Sequence, residues 1–129
     1  MRKLRLILVG GARPNFMKLA PLIRSLERNK NYFSYKLVHT GQHYDYAMSK
    51  IFFRDLGLPR PDYFLGAKSD SQAAQFAEIM SGFEKVMAKG EQDIVVVVGD
   101  VNSTLACAII SVKKDIPVAH IEAGLRSFD

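Results

Sequence analysis

Two carboxylates and two cations stand out against an otherwise apolar background. Asp100 comes directly after Gly99 at the end of the run Ile94-Val95-Val96-Val97-Val98, and Glu122 stands two residues past His120 in a second apolar stretch. An unpaired charge is expensive to bury, so a carboxylate in such a place needs a partner or a task. Carboxylates at neighbouring strand tips can have their pKa values pushed apart, so that one serves as base and the other as acid. Structural roles compete with that reading. Asp100 can cap the following helix, as can Asn102 and Ser103, and Glu122 can pair with Arg126. Arg13 and Lys18 flank the start of a predicted helix, where free N–H groups attract phosphate. Arg13 can equally cap or pair locally. His43 and His120 are as readily structural hydrogen-bonding residues as reactive ones. No His, Asp or Glu spacing calls for a metal, and nothing in the sequence calls for a cofactor.

These residues fall in four polar or glycine-rich clusters: Gly10 to Asn15, Thr40 to His43, Gly99 to Thr104 and His120 to Arg126. The first is not a dinucleotide fingerprint. That motif needs glycines in a G-x-G-x-x-G pattern and an acidic residue about 20 positions on, and the pattern is absent here. The Walker pattern G-x-x-x-x-G-K is absent as well.

Each cluster follows an apolar run that reads as a buried strand: Leu4 to Val9, a weaker Tyr35 to His39, Ile94 to Val98, and Pro117 to Ile121. Four valines in succession without alternation are expected of a parallel strand covered on both faces. Helical patterns lie between the runs. One covers Asn15 to Arg28, with Pro21 forcing a kink or a start. A second covers Tyr44 to Leu56, ended by Gly57 and Pro59. A third buries Phe76, Ile79, Met80, Phe83 and Met87 behind a Ser69–Gln72 capping box and stops at Gly90. A fourth covers Asn102 to Lys113. Strand and helix in alternation predict an α/β fold with a doubly wound parallel sheet. In such sheets ligands bind beyond the carboxyl ends of the strands, so the fold would gather all four clusters along one edge.

The composition agrees with one domain. The chain has 129 residues, 48% hydrophobic and 24% charged, which argues against disorder and supplies a core. The start, MRKLRLILV, mimics a signal peptide, but its apolar part is short and runs into GGARPNF, so it reads as a first strand. No apolar run reaches the roughly 18 residues of a membrane span. The net charge of +5 comes from scattered basic residues. Without interleaved aromatics it suits a phosphate-bearing small ligand as well as nucleic acid, and a merely solvated basic face equally. Cys107 is the single cysteine; it reads as a core residue, and a cytoplasmic location is expected.

Taken together, the clusters resemble a known family. Gly11 to Lys18 is similar to G-T-R-P-E-x-x-K, Thr40-Gly41-Gln42-His43 to T-G-Q-H, Gly99 to Thr104 to G-D-T-x-[ST]-T, and His120 to Ser127 to H-[VI]-E-A-G-L-R-[ST]. These are motifs of the non-hydrolysing UDP-N-acetylglucosamine 2-epimerases. The resemblance implies interconversion of UDP-N-acetylglucosamine and UDP-N-acetylmannosamine. UDP is eliminated across C1 and C2 to a glucal, then added back with the opposite C2 configuration, without nicotinamide. It makes Asp100 and Glu122 the catalytic candidates and Arg13, Lys18, Asn102 and Arg126 the substrate-binding ones. Gln42 and His43 become candidates for a site that holds an activating second substrate, although Asp45 stands where the family has another glutamine. Ala12, Asn15 and Val101 replace threonine, glutamate and threonine, and point to a subfamily.

The resemblance further implies a Rossmann-like domain, residues 1–129, as the N-terminal half of a GT-B-like fold with UDP between two domains. The complete protein is then expected to form a homodimer. The chain alone is expected neither to bind UDP tightly nor to turn over. Half a cleft leaves the diphosphate hydrated and the carboxylates in high dielectric. Other readings keep the fold: a non-catalytic nucleotide- or partner-binding module, or part of a hydrolysing epimerase.

Overall fold

The computed structural model describes residues 2–99 and 101–121, with only the backbone of residues 101–104. Its strands are β1 (Leu4–Gly10), β2 (Phe33–His39), β3 (Tyr63–Phe64), β4 (Ile94–Val98) and β5 (Val118–Ile121). All pair in parallel, in the order β3-β2-β1-β4-β5. The helices are α1 (Arg13–Arg28), α2 (His43–Met48), α3 (Lys50–Leu56), α4 (Gln72–Met87) and α5 (Val101–Lys113). The α/β doubly wound sheet expected from the sequence is therefore present.

Side chains alternate across a strand, and here both faces are apolar. Leu6, Leu8, Val96 and Val98 pack with Phe16, Leu19 and Ile23 of α1 and Phe53 of α3. Ile7, Val9, Val95 and Val97 pack with Ile79 and Phe83 of α4 and Ala106, Cys107 and Ile110 of α5. This two-sided burial is why the central strands read as unbroken apolar runs. Strand order reverses between β1 and β4, where the α1 and α5 loops diverge to opposite faces. That is the switch point at which open α/β sheets bind ligands.

At the amino edge of the sheet one carboxylate joins the two central strands. Asp93 accepts the Arg5 backbone N–H at 2.8 Å and the guanidinium groups of Arg2 at 3.1 Å and Arg5 at 3.3 Å. Its own N–H donates to the Arg5 carbonyl at 2.8 Å. Stabilised first by the Arg5 backbone N–H and then by Arg2, its pKa falls to about 2.

The elements differ locally from the sequence reading. α1 begins at Arg13 and runs through Pro21 as one helix. The helix expected over Tyr44 to Leu56 is two, divided at Ser49, whose ψ of 13° leaves the helical range. The Ser49 hydroxyl donates to the Asp45 carbonyl at 2.8 Å, an i−4 bond of the kind that often bends helices. The expected Ser69–Gln72 capping box does not form. Ser71 is the N-cap and accepts the Ala74 N–H at 3.3 Å, while the Ser69 hydroxyl is taken by the Glu78 carboxylate. That helix closes at Met87, ahead of the Gly90 stop. β3 was not foreseen.

Candidate functional site

The carboxyl ends of all five strands share one edge. Gly10 lies opposite His39, His39 opposite Phe64, Val97 opposite His120 and Val98 opposite Ile121. With neighbouring strands about 4.8 Å apart, the loops after β1, β2 and β4 start within about 10 Å of one another.

The first loop is held by an amide. Asn15, 7% exposed, accepts the N–H groups of Gly11 at 2.9 Å and Ala12 at 3.1 Å through its Oδ1. It does at the third helical position what a glutamate does in a capping box, without the charge. Gly10 makes the close approach possible. A Cβ there would lie 3.0 Å from the Phe16 ring and 3.2 Å from Leu19, so both buried side chains would have to shift for α1 to keep its seat against the end of β1.

Arg13 projects from the first position of α1 with its guanidinium 4.8 Å from the centre of the Phe52 ring. It borders a pocket of about 120 Å³ together with Gly11, Ala12, Phe16, His39, Asp45, Ser49, Phe52 and Phe53. Ligand pockets commonly enclose about 300–1,000 Å³, so this smaller one suits a sugar substituent or a phosphate oxygen rather than a whole nucleotide. It offers a cation, a carboxylate, a hydroxyl and an imidazole against an aromatic wall. Lys18 sits on the exposed side of α1, roughly 140° around the helix from Arg13, and is not among the residues bordering the pocket.

The second loop is anchored from several directions. The Thr40 N–H donates to the Gly10 carbonyl at 3.0 Å, while the Thr40 and Gly41 carbonyls accept from Ala67 at 3.2 Å and Gly66 at 2.9 Å. Gln42 is the N-cap of α2, and its N–H donates to Asp45 Oδ2 at 2.7 Å. His43 is exposed but engaged. Its Nε2 lies 2.7 Å from the Arg60 guanidinium, and its ring sits beside Phe64 at 5.1 Å and Tyr46 at 6.1 Å.

His39, which ends β2, is 3% exposed. Its Nδ1 accepts the Gly41 N–H at 2.9 Å. Burial pushes its pKa below the ordinary value of 6.5, partly opposed by the nearby Asp45 carboxylate.

Thus Arg13, His39, Asp45 and Ser49 come together at one pocket, and Gln42 and His43 follow on the adjoining turn. Asp100, Glu122 and Arg126 lie outside the described residues, and Asn102 is described in backbone only, within α5. Val98 and Ile121, the strand ends that lead to the two carboxylates, are paired, and the Gly99 N–H donates to the Ile121 carbonyl at 3.4 Å. Among the described residues no cluster of three or more His, Cys, Asp or Glu could hold a metal. No helix among them is long and apolar enough to cross a membrane. Sequence reading missed His39, Ser49, Phe52 and Arg60. The available signal was the H-x-G spacing of His39 and Gly41, which places an acceptor two residues before a turn N–H.

A parallel sheet in this order, with its polar loops collected at the carboxyl edge, defines a Rossmann-like α/β fold, a class in which ligands bind at that edge. Comparison with known proteins narrows the class. Residues 24–129 match the family model for UDP-N-acetylglucosamine 2-epimerase, and the chain belongs to that family. It is 45% identical over 126 residues to the UDP-N-acetylglucosamine 2-epimerase of Methanocaldococcus jannaschii, covering 98% of this chain and 34% of that protein. The crystal structure of the M. jannaschii UDP-GlcNAc 2-epimerase in complex with UDP-GlcNAc and UDP superposes with a TM-score of 0.83 at 45% identity, again over 98% of this chain and 34% of that one. The UDP-2,3-diacetamido-2,3-dideoxy-D-glucuronate 2-epimerase of Pseudomonas aeruginosa is 40% identical, covering 98% of this chain and 35% of that protein. The chain thus spans about a third of the length of the curated relatives it matches.

Proposed function

We propose that residues 1–129 form the N-terminal Rossmann-like domain of an epimerase that inverts C2 of UDP-N-acetylglucosamine, one wall of a cleft completed by a second domain. The observation that carries this reading is a single pocket at the strand edge, shared by Arg13 of the first loop and His39 and Asp45 around the second, in a chain 45% identical to an epimerase crystallised with UDP-GlcNAc. In this reading Arg13 meets the diphosphate as it becomes the leaving group, Lys18 adds positive charge from the exposed side of α1, and Asn102 and Arg126 assist in binding. Asp100 and Glu122 divide the proton transfers. One removes the C2 proton as the C1–O bond to UDP breaks, giving the glucal; the other delivers a solvent-derived proton to the opposite face of C2 as UDP adds back to C1. Gln42 and His43 contact a second sugar nucleotide, and the complete protein acts as a homodimer.

The test is proton NMR of the full-length protein with UDP-GlcNAc in deuterium oxide. Appearance of UDP-N-acetylmannosamine with deuterium at C2 is expected. Release of free sugar would point to hydrolysis instead, and no reaction would refute the assignment. The 40% identity to the diacetamido-glucuronate enzyme supports a second substrate reading. Parallel assays with that UDP-sugar decide between them through kcat/KM.

A further inference from the structure

The turn carrying Gln42 and His43 rests on a buried imidazole that none of the motifs includes. We propose that His39 is a positioning residue, whose neutral ring fixes the Gly41-Gln42-His43 turn against the Arg13 pocket for sugar-nucleotide binding. This rests on the functional reading above.

The bond from the Gly41 N–H to His39 Nδ1 requires that nitrogen to be unprotonated, which places the ring's proton on Nε2. The ring cannot easily turn to another role. It is wedged between Phe16 at 5.2 Å, Phe64 at 5.6 Å and Phe53 at 6.5 Å, from α1, β3 and α3. The turn is equally confined. A Cβ on Gly41 would lie 3.0 Å from His39 Cε1 and 2.6 Å from Asp45 Oδ2, so the backbone sits directly between imidazole and carboxylate. Asp45 in turn accepts the Gln42 N–H. The imidazole and the carboxylate thus fix two successive N–H groups of the turn, and both residues border the pocket that Arg13 borders. Displacing the turn would therefore reshape the pocket wall.

The test compares His39→Asn, His39→Gln and His39→Phe in the full-length protein. Asparagine places Oδ1 near the position of Nδ1 and keeps the acceptor; glutamine moves its acceptor one bond away, and phenylalanine has none. The expected result is a slowly exchanging Gly41 amide in wild type and His39→Asn, with KM for UDP-GlcNAc within about threefold. In His39→Gln and His39→Phe the amide exchanges freely, and KM rises on the order of tenfold while kcat changes less, as for one buried N–H left unpaired. Unchanged Gly41 exchange in both of the latter, or His39→Asn behaving like His39→Gln, overturns the proposal. Should His39→Phe fail to fold, the asparagine–glutamine comparison decides alone. A wild type that turns over no UDP-sugar refutes the functional reading instead, and Gly41 exchange in the variants still accepts or rejects the hold of His39 on the turn.

Discussion

Arg13 borders the pocket with its guanidinium carbon over the Phe52 ring, 4.8 Å from the ring centre. Lysine would keep the charge but lose the plane and the fork of donors. Arg13→Lys is expected to raise KM for the sugar nucleotide about tenfold, and Arg13→Ala between about 10- and 100-fold, the range for a hydrogen bond to a charged group. Steady-state kinetics or titration calorimetry measures both. His39 gives a pH signature at the same scale. Burial favours its neutral form, so the unfolded chain binds the extra proton more readily. Its contribution to stability is complete above about pH 6.5 and is lost as pH falls below that towards the depressed native value. Among the described residues bordering the pocket, the charged groups are Asp45 on α2, which opposes the shift, and Arg13 on α1. Melting temperature should therefore fall more steeply between about pH 6.5 and 5 in wild type than in His39→Asn. Arg13 was legible in the sequence because a cation beside a helix start has a recognisable use. His39, Ser49 and Phe52 were not, because three separately packed elements deliver them.

At the scale of elements, the strands declared themselves through two-sided burial, as the run Val95 to Val98 shows. β3 did not, since a two-residue strand between Pro61 and Gly66 has no periodicity to read. The division at Ser49 was hidden for another reason. Residues on both sides have helical spacing, and the break shows only in the backbone of Ser49, with its φ of −114° and ψ of 13°. The Ser69 cap failed because Glu78, on the next turn of α4, competes for its hydroxyl. The turn between β2 and α2 offers a direct test of how tightly these elements are fitted. Gly41→Ala must push aside either the Asp45 carboxylate or the His39 ring, at a cost of about 1–3 kcal/mol, as for overpacking. Chemical denaturation measures it, and adding Asp45→Ala should recover part of the loss.

Across the whole molecule, the sheet separates holding from binding. Asp93 and its arginines occupy the amino edge, and the pocket lies at the carboxyl edge, roughly 20 Å away along β1. The Asp93 carboxylate has its pKa depressed, so its contribution is present above about pH 4 and is lost as pH falls through about 2. Asp93→Asn should lower the melting temperature at neutral pH, by an amount that shrinks towards pH 2, and leave KM unchanged. The shortness of β3 has a further effect. It pairs with β2 only at Val38 and His39, and just below them Asp62 takes the Leu37 N–H on its own carboxylate at 2.7 Å while donating its N–H to the Leu37 carbonyl. The ladder is thereby terminated by a charged side chain, and the next residue back, Lys36, is exposed. A foreign strand approaching this margin meets charge of both signs before it meets free backbone, which protects an apolar-cored sheet against fibrous self-association.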